Sequence, residues 1–267
     1  MERIKQALER ARQEREAAGV FRTPLSPARE ARTAVDVAYS QTRVCKVDSA
    51  LLRANRVVCG DANDEAMAAY KMLRTQVLQR MAAKGWRALA VTSPAPSQGK
   101  TLTSINLAVS IARAMDHTVL LADLDLRRPS IHTYFSYSPA YGIDDYLLND
   151  TPLSEILFNP GIERLVILPS KEPVSDSSEL LSSPKMLRLV EELKTRYPSR
   201  FVIFDLLPVL SSDDTLAFAP NVDAMLMVVE DGKTKKEELK QAMGLLDGTN
   251  VLGTVLNKSD EKMGTYY

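Results

Sequence analysis

The chain has 267 residues, of which 45% are hydrophobic and 25% charged, and its 34 basic side chains balance 34 acidic ones. This length and composition predict a globular protein with one large α/β domain and an appendage. A net charge of zero argues against electrostatic binding to nucleic acid, and no apolar run approaches the roughly 18 residues of a membrane span.

The first 60 residues are predicted to form an N-terminal helix and a flexible linker. A thin apolar stripe at helical spacing in residues 1–18 indicates either a marginal exposed helix or one that docks on a partner. Residues 20–55 contain two prolines and show no sustained hydrophobic period, which is typical of a linker.

Two short segments in this region, Val44–Val47 and Arg56–Cys59, are each compatible with an edge strand. Each contains one of the two cysteines, Cys45 and Cys59. The cysteines lack the spacing of metal ligands, so we expect reduced thiols in a cytoplasmic protein.

From residue 61 onward the sequence alternates between helical and strand patterns. A helix is predicted from about Asn63 to Ala83. Six apolar segments are strand candidates: Ala88–Val91, Thr118–Ala122, Arg164–Leu168, Phe201–Phe204, Ala224–Val229 and Val251–Leu256. Helices are predicted between them near Thr101–Ala114, Lys185–Tyr197, Thr215–Ala219 and Lys235–Leu246. The alternation predicts an α/β fold with a mostly parallel central sheet and helices on both faces, which binds ligands at the carboxyl ends of its strands.

The segment after the first core strand has the layout of a phosphate-binding loop that opens a helix. The expected nucleotide-binding residues are Ser97, Gln98, Gly99, Lys100, Thr101 and Leu102. Backbone N–H groups and the helix N-terminus would bind an anion, Lys100 would reach the terminal phosphates, and the Thr101 hydroxyl would bind Mg²⁺. Pro94 stands at the first glycine of the standard G-x-x-x-x-G-K-[ST] spacing, so the flanking strand and helix support the assignment.

Carboxylates follow two other apolar strands. Asp123 and Asp125 point the same way on an extended chain, and they suit either a hydrated Mg²⁺ or proton transfer from a hydroxyl. The alternative is a solvated turn with an Asp–Arg ion pair. Asp205 ends a buried strand in the Walker B arrangement. Of Asp213 and Asp214, one is expected to cap the next helix, and the role of the other is left open.

The last strand candidate runs into Asn257-Lys-Ser-Asp260, a short match to the guanine-reading motif of GTPases. A GTPase is therefore one alternative. Because this strand ends on the same rim of the sheet as the phosphate loop, Asn257 is expected to contact the base of a nucleotide.

Three motifs in this order resemble the bacterial tyrosine kinases of capsule and exopolysaccharide synthesis: Thr92-Ser-x-x-Pro-Ser-Gln-Gly-Lys-Thr, Leu-Leu-Ala-Asp123-x-Asp125-x-Arg127-Arg-Pro and Phe-Val-Ile-Phe-Asp205. The resemblance covers about Asp64 to Asp260 and implies a P-loop NTPase fold related to the ParA/MinD-type ATPases. Residues 61–260 would form the kinase domain.

The resemblance implies ATP and Mg²⁺ as cofactors and autophosphorylation in trans on a short C-terminal tail, residues 261–267, at Tyr266 and Tyr267. The implied catalytic residues are Lys100, Asp123, Asp125 and Arg127, and the implied metal ligands are Thr101, Asp123 and Asp205. Asp123 is the first candidate for the base that activates the tyrosine hydroxyl, although Asp125 stays open.

The resemblance also implies a partner, a transmembrane polysaccharide chain-length regulator (Wzz-like) that activates the kinase at the inner face of the membrane. The family's ring-forming E-x-x-R-x-x-R motif aligns with Ala68, Lys71 and Arg74. Two other functions remain open: a ParA/MinD-type positioning ATPase, whose early loop lysine is absent here, and a non-catalytic nucleotide-switched scaffold.

Overall fold

The computed structural model describes residues 42–58, 65–114, 116–197 and 199–260. The predicted N-terminal helix, Cys59 and the tail with Tyr266 and Tyr267 lie outside these residues. The strands are β1 (Arg43–Val44), β2 (Ala88–Thr92), β3 (Thr118–Asp123), β4 (Phe158–Asn159), β5 (Leu165–Leu168), β6 (Arg200–Asp205), β7 (Ala224–Glu230) and β8 (Val251–Asn257).

The helices are α1 (Ser49–Ala54), α2 (Glu65–Ala82), α3 (Lys100–Ala112), α4 (Ile131–Tyr134), α5 (Ile143–Asn149), α6 (Leu153–Ile156), α7 (Ser177–Leu181), α8 (Pro184–Thr195), α9 (Asp214–Phe218) and α10 (Lys236–Leu245). A 3-10 turn at Ala219–Asn221 follows α9. Among the described residues, no helix is both long and apolar enough to cross a membrane.

The strands form one sheet in the order β1-β4-β5-β3-β6-β2-β7-β8. All of its neighbouring strands are parallel except β4 and β5, which pair antiparallel. The predicted α/β fold with a mostly parallel sheet is therefore confirmed, and each of the six strand candidates is a strand. The antiparallel pair was not predicted, since β4 has only two residues.

Helices cover both faces of the sheet because successive side chains of each buried strand point to opposite sides. In β2, Leu89 and Val91 pack in the core beneath α2 and α3. Ala88 and Ala90 of the same strand pack in the second core, on the side of α8 and α10. Both faces of the strand are therefore buried, which explains its continuous apolar sequence.

The segment assigned to the linker is partly structured and packs on the core. Its edge strand at Val44 is confirmed, because β1 pairs with β4. The strand expected at Arg56–Cys59 is wrong over its described part, since Arg56 has a left-handed φ of 60° and the chain turns there. Leu52, Val57 and Val58 are buried in the core beneath α2 and α3, so hydrophobic packing holds this segment in place.

Candidate nucleotide-binding site

The carboxyl ends of β2, β3 and β6 meet at the middle of the sheet, and the segments that follow them contribute to the lining of a cavity of about 920 Å³. In the strand register, Asp205 lies opposite both Asp123 and Val91, the residue before the β2 terminus. The predicted acidic residues are thus brought beside the phosphate loop. The cavity walls include Lys100, Thr101 and Asp125.

The phosphate loop alternates its backbone conformation around Gln98. Ser97 has φ 64° and Gly99 has φ 89°, both left-handed, and α3 begins directly after Gly99. Within the described residues, the amides of Gln98, Gly99 and Lys100 donate no hydrogen bond. Successive unpaired N–H groups at a helix N-terminus form an anion-binding concavity. The loop can therefore bind phosphate without the first glycine of the standard spacing.

Lys100 lies between two carboxylates at the floor of the cavity. Its Nζ is 2.8 Å from Asp125 Oδ2 and 3.5 Å from Asp205 Oδ2. Burial alone would lower the pKa of Lys100, but the charges of Asp205 and Asp125 outweigh it and raise the pKa above its ordinary value. The ammonium is therefore charged at physiological pH and can bind a phosphate.

Asp205 is fully buried and accepts hydrogen bonds from two hydroxyls of α3. Thr101 Oγ1 donates at 2.7 Å and Ser104 Oγ at 2.9 Å. Burial raises the pKa of Asp205, although Lys100 and the two hydroxyls oppose this shift. Ser104 was missed by the sequence analysis, yet its position one helical turn after Lys100 could have indicated it.

Asp123 and Asp125 have different environments, although Asp123 ends β3 and Asp125 follows two residues later. Asp123 is fully buried, and its Oδ2 accepts hydrogen bonds from the amides of Ser130 and Ile131, both at 2.9 Å. Burial and the charge of Asp205 raise the pKa of Asp123 to about 7 against these donors. Asp125 lines the cavity, so it is Asp125 that a bound molecule would contact.

Arg127 lies at the cavity wall but points its guanidinium to α9. Its Nη2 is 3.0 Å from Asp214 Oδ1, and its Nε donates to Ser177 Oγ at 3.0 Å. The expected cap of α9 is wrong, because the Asp213 side chain at the N-cap makes no cap hydrogen bond. The alternative of an Asp–Arg ion pair after β3 is partly right, but the partner of Arg127 is Asp214 at the start of α9.

The remaining predicted residues lie along the loop. Leu102 and Asn257 line the cavity, and Asn257 Nδ2 donates to the Gln98 carbonyl at 2.9 Å. The Gln98 side chain is buried and donates to Thr234 Oγ1 at 2.9 Å. Only the backbone amide of Gln98 is thus available to a ligand, and the Asn257 amide is directed at the loop.

A wall of the cavity comes from residues that the sequence analysis assigned to the linker or did not single out. Arg56 and Tyr134 line it. Asn106 of α3 holds this wall, because its Oδ1 accepts from the Val58 amide at 3.0 Å and its Nδ2 donates to the Arg56 carbonyl at 3.1 Å. No local motif indicates these contacts, which join residues about 50 positions apart.

The chain was compared with known proteins. The family model of the CobQ/CobB/MinD/ParA nucleotide binding domain matches residues 89–265. The tyrosine-protein kinase YwqD of Bacillus subtilis (strain 168) is 31% identical over 190 residues, which are 70% of this chain and 79% of YwqD. The succinoglycan biosynthesis transport protein ExoP of Rhizobium meliloti (strain 1021) is 28% identical over 220 residues, 80% of this chain but 28% of ExoP.

Among solved structures, the kinase domain of the Escherichia coli tyrosine kinase ETK matches with a TM-score of 0.69 and 26% identity. The match covers 84% of this chain and 94% of that domain. The phosphate loop, the carboxylates after β3 and β6 and the end of β8 all fall within residues 89–265.

Proposed function

The chain belongs to the bacterial tyrosine kinases within the CobQ/CobB/MinD/ParA nucleotide-binding family, and we propose that it is an ATP-dependent protein-tyrosine autokinase of capsule or exopolysaccharide synthesis. The name of YwqD gives that protein a tyrosine kinase activity, and the name of ExoP gives that protein a part in succinoglycan biosynthesis and transport. These names support the proposed reaction and process.

The position of the Lys100 ammonium is the observation that carries the proposal. It lies beside the N-terminus of α3, within 2.8 Å of Asp125 and 3.5 Å of Asp205, in a cavity that also contains the free loop amides. A charged lysine and unpaired amides are the groups that bind the terminal phosphates of a nucleotide. A carboxylate beside them is the group that accepts a proton from an attacking hydroxyl.

In the proposed reaction, the acceptor tyrosine oxygen forms a bond to the γ-phosphorus, the bond to the β-phosphate oxygen breaks, and ADP leaves. Lys100 and the loop amides hold the phosphates in line. Asp125 accepts the tyrosine proton, because it lines the cavity. Asp123, whose pKa is raised to about 7, is fully buried, and its carboxylate accepts hydrogen bonds from two backbone amides. We therefore assign Asp123 the role of organising the turn after β3.

Mg²⁺ fits the chemistry of Thr101 and Asp205, whose oxygen atoms lie 2.7 Å apart beside Lys100. Both are hard oxygen donors, which Mg²⁺ prefers. No group of three or more His, Cys, Asp or Glu residues that could hold a metal occurs in the described ranges, so phosphate and water oxygens would complete the ligand set. When bound, Mg²⁺ would neutralise charge on the phosphate oxygens.

We propose phosphorylation in trans on Tyr266 and Tyr267, because two tyrosines at a chain terminus could reach a neighbouring active site. We further propose a partner, a transmembrane polysaccharide chain-length regulator that activates the kinase at the inner face of the membrane. The name of ExoP, which gives that protein a part in succinoglycan biosynthesis and transport, supports a place in such machinery.

The proposal is tested by peptide mapping after incubation with Mg²⁺ and ATP, with and without the cytoplasmic tail of a candidate regulator. We expect phosphate on Tyr266 or Tyr267 in the wild type and in the control Lys84→Met, which changes an exposed lysine. Lys100→Met should abolish it. ATP hydrolysis without phosphotyrosine would overturn the proposal and favour a positioning ATPase, and nucleotide binding without either would favour a scaffold.

A further inference from the structure

Two consecutive side chains at the end of β8 are attached to the phosphate loop. Asn257 Nδ2 donates to the carbonyl of Gln98 at 2.9 Å, and Lys258 Nζ donates to the carbonyl of Ser97 at 2.8 Å. Lys258 has a left-handed φ of 58°, which turns its side chain back from the strand direction toward the loop. The two carbonyls that these residues bind are consecutive in the loop.

A second set of contacts anchors these donors to the end of β7. Lys258 Nζ also lies 2.9 Å from Glu230 Oε2, and the Glu230 amide donates to Thr234 Oγ1 at 2.8 Å. The same Thr234 oxygen accepts from Gln98 Nε2 at 2.9 Å. The contacts therefore close a ring from the loop, through Thr234, Glu230 and Lys258, back to the loop. We call Asn257, Lys258, Glu230 and Thr234 the loop clamp.

The loop clamp determines which way the loop amides point. In a planar trans peptide, the C=O and the following N–H point in opposite directions. Because the carbonyls of Ser97 and Gln98 face β8, the N–H groups of Gln98 and Gly99 face away from it, and they have no acceptor within the described residues. Phosphate binding needs such unpaired amides held in place. The clamp thus holds the loop in an anion-binding conformation in the nucleotide-free protein.

The clamp also changes the interpretation of the Asn257-Lys-Ser-Asp260 match. The Asn257 amide and the Lys258 ammonium both direct a donor to the loop backbone. Space agrees with this arrangement, because a Cβ on Gly99 would lie 2.1 Å from Asn257 Nδ2. The Asn257 side chain is therefore packed against the loop.

We propose that the loop clamp positions the phosphate loop and does not read the base, an inference that rests on the nucleotide binding in the proposed function. Asn257 and Lys258 are then positioning residues that act through the carbonyls of Gln98 and Ser97. Removal of either side chain should lower the affinity for every ligand that binds the phosphate loop by the same factor. A base reader would instead lose affinity for one nucleotide only.

The experiment measures the affinities of ADP, GDP and inorganic pyrophosphate for the full chain by calorimetry. Lys258→Ala and Asn257→Ala should each lower the affinity for all three ligands by about tenfold, because each removes one partly exposed hydrogen bond to the loop. Lys258→Arg should restore affinity, since a guanidinium can donate to both oxygens. The matched control is Lys233→Ala, because the Lys233 ammonium lies 3.5 Å from the other carboxylate oxygen of Glu230 and, within the described residues, forms no hydrogen bond to the loop.

Hydrogen exchange of the Ala95 amide, which donates to the Gln98 side chain held by Thr234, separates this inference from the proposed function in the nucleotide-free protein. We expect faster exchange in Lys258→Ala than in Lys233→Ala, whether or not the wild type binds nucleotide. The inference is overturned if Lys258→Ala equals Lys233→Ala in exchange, or if the loss of affinity is confined to one nucleotide and spares pyrophosphate. Failure of the wild type to bind any of the three ligands would instead overturn the proposed function.

Discussion

Gly99→Ala is a sharp test of the loop geometry, because two separate effects act at this position. Gly99 has φ 89°, which L-residues rarely adopt, and a Cβ there would lie 2.1 Å from Asn257 Nδ2. Gly85 provides a matched control, since it has φ 71° but no atom within 4 Å of the same Cβ position. Gly85→Ala should therefore suffer the backbone effect alone.

The magnitudes follow from these two effects. A left-handed alanine costs roughly 1–2 kcal/mol, which both variants share. In Gly99→Ala the Asn257 side chain must also move and lose its hydrogen bond to the Gln98 carbonyl, worth about 1 kcal/mol. We expect Gly99→Ala to lower the free energy of unfolding by about 2–3 kcal/mol and Gly85→Ala by about 1–2 kcal/mol.

Urea unfolding of the two variants and of Asn257→Ala in both backgrounds measures the difference. Removing the Asn257 side chain should reduce the cost of Gly99→Ala to that of Gly85→Ala and leave Gly85→Ala unchanged. Of the two glycine variants, only Gly99→Ala should weaken nucleotide binding. Equal costs for both glycine variants, with no coupling to Asn257, would refute the steric argument.

Three further predictions concern charged groups. Burial would raise the pKa of Asp223, but the hydrogen bond from Lys194 and those from the amides of Arg87 and Ala88 hold it below its ordinary value. Asp223→Asn should destabilise the protein at pH 7, and its difference from the wild type should shrink as pH falls below about 4, since stability from a depressed pKa is lost as pH falls through it. Urea midpoints measured across pH check this. For Asp123, whose pKa burial and the charge of Asp205 raise to about 7, the sign is opposite: wild-type stability is full below its ordinary pKa of about 4 and falls as pH rises to 7. Asp123→Asn should therefore unfold at about the wild-type urea concentration near about pH 3 but at a higher one at about pH 8, and equal midpoints at the higher pH would contradict the raised pKa. Arg127→Ala should lower the free energy of unfolding by about 1 kcal/mol, because it removes a half-exposed partner from the buried carboxylate of Asp214. It should reduce phosphotransfer less than Lys100→Met does.

The fold was predictable because its signals are local and redundant. Each buried parallel strand is an apolar run in the sequence. β3 and β6 each end in an acidic residue that still pairs in the sheet. In the segment assigned to the linker, the sequence indicated the edge strand at Val44 but not α1. The six residues of α1 are too few to show a hydrophobic period, although Leu52 among them is buried.

The parts of the candidate site that depend on motif spacing along the sequence were predictable. The parts that depend on contacts between residues far apart in the sequence were not. Lys100 and Thr101 follow from the loop pattern, and Asp205 follows from its strand. The partner of Arg127, Asp214, lies 87 positions away at the start of α9, and no sequence pattern links the two residues. The different environments of Asp123 and Asp125 depend on where the turn after β3 places its backbone amides. The alternation of side chains along a strand does not determine the path of that turn.

The central claim is that the site around Lys100 transfers phosphate to the tail of another copy of the chain. The direct measurement mixes Lys100→Met, which keeps an intact tail, with Tyr266→Phe/Tyr267→Phe, which keeps an intact site, in the presence of Mg²⁺ and ATP. Peptide mapping should find phosphate on Tyr266 or Tyr267 of the Lys100→Met chain and none when that chain is incubated alone. Phosphorylation of the wild type without any transfer in the mixture would contradict transfer between copies, and the absence of phosphotyrosine in both would contradict the kinase itself.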